Sequence, residues 1–135
     1  MKKYEFTGET ITDDGKTLHR IRALKDFGNV KKGDLGGFIE KEDNLSHDGN
    51  AWVYGIARIY DNARIYDNAQ IYGNVRVFGN ARVYGNAHVY DDAYIFDHAK
   101  VCGNAIICDN ARVCGNTKLS DDAAVFGDAL VCDLA

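Results

Sequence analysis

The sequence predicts an all-β protein: a parallel β-helix of stacked six-residue units, entered through an N-terminal β-hairpin and cap. The first observation behind this is a repeat that never slips. From Val53 the chain reads VYGIAR, IYDNAR, IYDNAQ, IYGNVR, VFGNAR, VYGNAH, VYDDAY, IFDHAK, VCGNAI, ICDNAR, VCGNTK, LSDDAA, VFGDAL and VCDLA. The second is composition, because a chain with 14 Gly and 0 Pro takes its turns from Gly, Asn and Asp at fixed intervals. The third is physical. A strand of four residues cannot bury its apolar face alone, so identical units must stack and pair each backbone with the coils on either side.

Residues 1–40 stand outside the repeat and residues 41–135 carry it, which divides the chain into a capping segment and a solenoid. KYEFTGETIT and KTLHRIRAL flank DDGK and read as two strands joined by a tight turn. The stretch from Gly33 to Val53 leads into the first coil. Phe38, Ile39, Leu45 and Trp52 are expected to form a lid, since a bare solenoid end exposes core. Within each hexad, slot one is aliphatic from Val53 to Val131, and slot five is Ala except at Val75 and Thr117. Side chains alternate along a strand, so slots five and one share the inner face while slots six and two point out. Slots three and four, Gly or Asp then Asn or Asp, form the corner, because Gly accepts positive φ freely and Asn tolerates it best among the other residues.

This hexad, aliphatic at slot one and small at slot five, resembles the hexapeptide-repeat left-handed β-helix family over about residues 41–135. The resemblance implies a left-handed triangular solenoid in which three hexads make one coil of 18 residues. It implies little about activity, because that family includes acyltransferases, carbonic anhydrases, antifreeze proteins and purely structural modules. The entry segment, with the DNAR and GNAR hexads behind it, is similar to a group of uncharacterised hexapeptide-repeat proteins from bacteria and their phages sometimes labelled polymer-forming. That likeness implies assembly.

Composition narrows the function classes. The 135 residues, 46% hydrophobic and 27% charged, are enough for one core. Sixteen basic against 20 acidic residues leave a net charge of -4, too small a bias for a nucleic-acid binder or a DNA mimic. No run approaches the roughly 18 apolar residues of a membrane span, and MKKYEFTGET lacks the apolar stretch of a signal peptide. A soluble, cytoplasmic protein without a membrane partner is expected.

With three hexads per coil, residues 18 apart stack about 4.8 Å from one another. The first face then carries Trp52, Tyr54, Gln70, Tyr72, His88, Tyr90, Ile106, Cys108, Ala124 and Phe126. The second carries Arg58, Tyr60, Arg76, Phe78, Tyr94, Phe96, Arg112, Cys114, Leu130 and Cys132. The third carries Arg64, Tyr66, Arg82, Tyr84, Lys100, Cys102, Lys118 and Ser120. In-register rings stabilise neighbouring coils by stacking, yet an outward aromatic column also leaves apolar surface of the kind that marks interaction sites. Tyr54, Tyr60, Tyr66, Tyr72, Phe78, Tyr84, Tyr90 and Phe96 are therefore the candidate partner surface. The basic column Arg64, Arg82, Lys100 and Lys118 is expected to be solvated and partly paired with corner Asp residues rather than to hold nucleic acid.

The outward slots become apolar towards the C-terminal coils. Ile106, Cys108, Phe126, Leu130, Cys132 and Leu134 are the candidate oligomer interface, with a two-fold dimer the favoured form. Cys102, Cys108 and Cys114 point in three directions and cannot share one metal, so no metal site is expected. Cys114 and Cys132 stack but are poorly aimed for a disulfide, and four free thiols are expected. His88 is the one face histidine that an acyltransferase-like general base could use, and no loop breaks the hexads to complete such a site. No catalytic set and no cofactor site converge. The leading expectation is a non-enzymatic scaffold or interaction module of phage or prophage type that self-associates and binds and modulates a host protein. The alternative is a divergent hexapeptide acyltransferase with its site between subunits.

Overall fold

A computed structural model describes residues 2–134. The hairpin forms as expected: β1 (Tyr4–Asp13) pairs antiparallel with β2 (Lys16–Ala23). Asp14 and Gly15, with φ of 52° and 72°, make the tight turn. β2 then pairs antiparallel with β3 (Leu35–Ile39), which runs parallel to the coil strand Arg58–Ile59. The hairpin is thus the edge of an eight-stranded sheet that continues along the second face of the solenoid.

The coils are a parallel β-solenoid with an 18-residue repeat. Trp52–Val53, Gln70–Ile71, His88–Val89, Ile106–Ile107 and Ala124–Val125 form the five-stranded first face. Arg64–Ile65, Arg82–Val83, Lys100–Val101 and Lys118–Leu119 form the four-stranded third. Most strands cover only slots six and one. Their ladders are closed by the flanking N–H groups, as when Tyr66 N donates to the Val83 carbonyl at 3.1 Å. Slots one and five are buried from Ala51 through Val113, giving a continuous core of Ile, Val and Ala. The coil register starts before Val53, because Ile39 pairs with Ile59 and Leu45 bridges to Ile65, both buried in that core.

The corner chemistry differs from expectation in one respect. Left-handed φ is confined to slot three, at Asp61 (57°), Asp97 (59°) and Gly73 (82°) among others, and Asn in slot four does not adopt it. The slot-four N–H instead donates to the slot-three carbonyl of the next coil, as from Asn80 to Asp97 at 2.7 Å. The slot-three Asp side chain stitches the corner from coil to coil. Asp61, Asp67, Asp91, Asp97 and Asp109 each accept, through Oδ2, the N–H of the residue 18 further on, at 2.8 to 3.1 Å. At Gly73 the neighbouring coil leaves no room for a side chain, for a Cβ there would lie 2.9 Å from the Asp91 carbonyl oxygen.

Two expectations at the N-terminal end are corrected. Ile39, Leu45 and Trp52 do lie in the core, but Phe38 faces outward and joins a separate cluster with Leu18 and Tyr60. The hairpin lies over this part of the second face, so Tyr60, 3% exposed, is not free surface. The cap itself is built from residues that no periodicity announced. Tyr4 and Phe27 meet Trp52 edge to face at 6.2 and 5.2 Å, and Lys3 Nζ donates to the Ala51 carbonyl at 2.7 Å. Buried Asn44 closes the third side. Its oxygen accepts the N–H groups of Glu40 and Lys41, and its amide donates to the carbonyls of Asp61 and Ala63. A third correction concerns the thiols: Cys114 and Cys132 are joined in a disulfide, leaving Cys102 and Cys108 free. Stacked parallel strands bring their Cα atoms to 4.5 Å, inside the span a disulfide bridges, so parallel side chains were not the obstacle expected.

Candidate functional site

The outer slots produce three different surfaces, because each slot-six or slot-two residue repeats every 18 positions and stacks into a column. On the second face the columns are satisfied within the chain. Asp13, from the hairpin, pairs with Arg58 at 2.9 Å and Arg76 at 3.2 Å, while Lys16 pairs with Asp61. Arg76 also donates to the Tyr94 hydroxyl at 2.9 Å, and the Arg112 guanidinium sits 5.3 Å from the Tyr94 ring. Tyr60, Phe78 and Phe96 stack at 5.1 Å spacing. Burial pushes the Tyr60 hydroxyl up to about 12.

The first face forms a groove of about 580 Å³ near its N-terminal end. The Gly28–Asn29 loop of the cap overhangs it, and Tyr54, Gln70, Tyr72 and His88 form its floor, with Asn50 and Asn68 along one side. Gln70 is fixed, accepting from the Tyr54 hydroxyl at 2.8 Å and donating to the Asn50 and Asn68 carbonyls at 3.1 Å. His88 lies edge-on to Tyr72 at 6.4 Å, and Tyr72 stacks on Tyr90 at 5.0 Å. Desolvation by burial raises the hydroxyls of both Tyr54 and Tyr72. Further along the same face the groove gives way to an apolar patch: Ile106 and Phe126 are 40% and 63% exposed. Leu130, around the corner on the second face, is 66% exposed, and Leu134 is 82% exposed. Cys108 is half-buried beside them, whereas Cys132 is taken up in the disulfide.

The third face is basic and unsatisfied. Arg64, Arg82, Lys100 and Lys118 are all exposed and in register, and none makes an ion pair or hydrogen bond among the described residues. The expected pairing with corner Asp residues is absent among the described residues: Asp61 pairs with Lys16 of the hairpin, and Asp67 and Asp97 hold backbone N–H groups of the next coil. Arg82, Lys100 and Lys118 line a groove of about 750 Å³ with His98, Asn80 and Asn116. Tyr66 and Tyr84 stack at 4.8 Å beside them, and a hydrogen bond with Cys102 raises the Tyr84 hydroxyl to about 12.

The candidate partner surface is therefore split over three faces. Tyr54, Tyr72 and Tyr90 share the first, Tyr60, Phe78 and Phe96 the second, and Tyr66 and Tyr84 the third. The cysteines do spread as expected, with Cys102, Cys108 and Cys114 on different sheets. Two trios of potential metal-ligating atoms lie within 4.8 Å, Asp97 with Cys114 and Cys132, and Asp91 with Cys108 and Asp109. The first uses sulfurs already joined to each other, and two carboxylates of the second hold backbone N–H groups.

These repeats match a family model for the YdcK β-solenoid repeat at residues 57–70, 69–82 and 76–91. The chain carries hexapeptide β-solenoid repeats. The chain is also 36% identical over 62 residues to a protein of Escherichia coli (strain K12) named "Uncharacterized acetyltransferase YdcK". The match covers 40% of this chain, and the chain spans about a fifth of that relative's length (19%). No helix among the described residues is long and apolar enough to cross a membrane.

Proposed function

We propose that this β-solenoid is a non-enzymatic interaction module that self-associates, a scaffold of the phage or prophage type whose free aromatic columns bind and modulate a host protein. The observation that carries self-association is the lateral patch of Ile106, Phe126 and Leu130, each at least 40% exposed. A second copy is its occupant. The patch wraps the corner between the first and second faces, and the stacked coils hold its residues in place for a side-by-side contact with another solenoid. Its test is the double substitution Phe126→Asp with Leu130→Glu, which places two charges in the contact. Wild type should sediment as an oligomer at micromolar concentration and the variant as a folded monomer. A monomeric wild type, or a variant that keeps its assembly state, defeats the reading.

One observation favours a second reading, acyltransferase-like chemistry. The groove that holds His88 is lined by Tyr54, Tyr72, Gln70 and Asn side chains, and the relative matched over part of the chain has "acetyltransferase" in its name. In that reading His88 is the general base. A thermal-shift series with acetyl-CoA and nucleotide-sugar ligands separates the two: the scaffold expects no shift, whereas the enzyme expects one that is lost in His88→Ala.

A further inference from the structure

The cationic column of the third face is costly as it stands. Like charges directly across a ladder repel, and here Arg82, Lys100 and Lys118 stack in register with no carboxylate paired to them among the described residues. The arginines of the second face show the contrast, since the same 18-residue stacking there is neutralised by Asp13 or buffered by Tyr94. An unrelieved array of this kind fits an anionic partner with the same spacing. The chain itself carries one. At the corner between the first and second faces, Asp91, Asp92, Asp109 and Asp128 line a groove of about 520 Å³ and are all exposed. Both arrays repeat with the coil, about 4.8 Å per step, so carboxylates and cations can meet in register along the solenoid axis.

We propose that the acidic corner of one copy docks into the cationic groove of the third face of a second copy. This rests on the self-association proposed above and gives it a geometry. Asp128 lies between Phe126 and Leu130 in sequence, so the apolar patch and the acidic corner form one surface, with apolar flanks around a charged ridge. A two-fold contact through that patch would set the acidic corners against each other. Docking the ridge onto Arg82, Lys100 and Lys118 removes that repulsion and relieves the cationic column. Because the two surfaces are different, the contact is heterologous, and it builds a ring or an open array instead of the two-fold dimer expected from sequence. A second copy is favoured over nucleic acid as the occupant, since the whole chain carries a net charge of -4.

The experiment is a charge swap read by sedimentation velocity on the full chain, with circular dichroism as the check on folding. Lys100→Glu with Lys118→Glu reverses the groove, and Asp92→Lys with Asp128→Lys reverses the corner at slot-four positions that carry no left-handed φ. Each variant alone should self-associate more weakly by about tenfold or more, and raised salt should weaken the wild type in the same direction. Mixing the two variants should restore assembly, because each then offers the other both a matched swapped contact and a matched native one. Charge variants that assemble like wild type, while Phe126→Asp with Leu130→Glu is monomeric, overturn this contact and leave self-association standing. A monomeric wild type overturns both. Unchanged assembly together with groove-dependent binding of a single-stranded 20-mer oligonucleotide also overturns it and assigns the face to nucleic acid.

Discussion

At the N-terminal end Trp52 occupies an outward slot yet is fully buried, because Tyr4 and Phe27 close over it. Near the other end Leu119 and Val131 occupy inward slots yet stay partly exposed, and Ala129 is exposed. The same hexad grammar therefore gives opposite burial at the two ends. Slot identity decides the direction in which a side chain points. Whether it is buried depends on a neighbouring coil or cap, and in a solenoid each unit contacts only its neighbours. The two ends are also fastened by different means: the first by aromatic packing and Asn44, the last coils by the Cys114–Cys132 disulfide and Thr117, whose hydroxyl accepts from Asp133 N at 2.9 Å.

The comparison would break most visibly at Trp52. Trp52→Ala should cost about 3–5 kcal/mol in chemical denaturation, the range for emptying a large fully buried aromatic site. Val131→Ala, at a half-exposed site, should cost less than half as much. Equal losses would mean that the last coil is as tightly packed as the cap. Next in size is the disulfide, which closes a sequence separation of 18 residues. On loop-entropy grounds its reduction should cost about 3 kcal/mol. Hydrogen exchange should localise the loosening to residues 112–134 and leave the cap protected. Thiol titration in denaturant should find two reactive groups before reduction and all four cysteines after it.

Alkaline titration sharpens the contrast in a smaller way, because the perturbed groups cluster in the capped half. Burial lowers the Lys3 ammonium from 10.5 to about 8, with Lys25 pushing the same way. The unfolded chain therefore binds more protons between these values, and stability should climb as pH rises from 8 to 10.5. Tyr60 and Tyr84 are raised to about 12, so above pH 10 the unfolded chain loses protons first and stability should fall. A stability maximum near pH 10 is expected, and Lys3→Met should flatten its acid-side slope. A profile unchanged by that substitution would show that Lys3 does not titrate with folding.

The solenoid was legible because one physical rule, alternation with a period of six, was written without interruption from Val53 to Val131. The hairpin was legible from DDGK. The cap was not, since Lys3, Tyr4, Phe27 and Asn44 are distant in sequence and obey no period; only their contacts define them. The same reason hid the cover over Tyr60, which comes from Leu18 of β2 and Phe38 of β3. The Cys114–Cys132 disulfide was missed because the repeat gives the stacking of the two residues but not the way their side chains turn within the ladder. The unpaired cations were equally out of reach, because nothing in the period says that Asp61 turns to Lys16 of the hairpin while Asp67 and Asp97 hold backbone N–H groups.

The smallest expected effect tests whether the outer columns differ between the two halves as the inner slots do. Tyr72 stacks on Tyr90 at 5.0 Å, meets Tyr54 at 6.1 Å and shields the edge of His88. Phe126 is 63% exposed and has no ring partner among the described residues. Stacked pairs are worth about 0.5–1.5 kcal/mol beyond their buried area, so Tyr72→Ala should destabilise by about 1–2 kcal/mol. Exposed side chains without such contacts fall within about 0.5 kcal/mol of neutral, so Phe126→Ala should leave the denaturation midpoint of the monomer nearly unmoved. The measurement must be made at a concentration where wild type is dissociated, because burial of Phe126 against another copy would otherwise add the contact energy to the fold. A loss at Phe126 equal to that at Tyr72 under those conditions would mean that the ring is part of the fold, and its exposure would no longer argue for a partner.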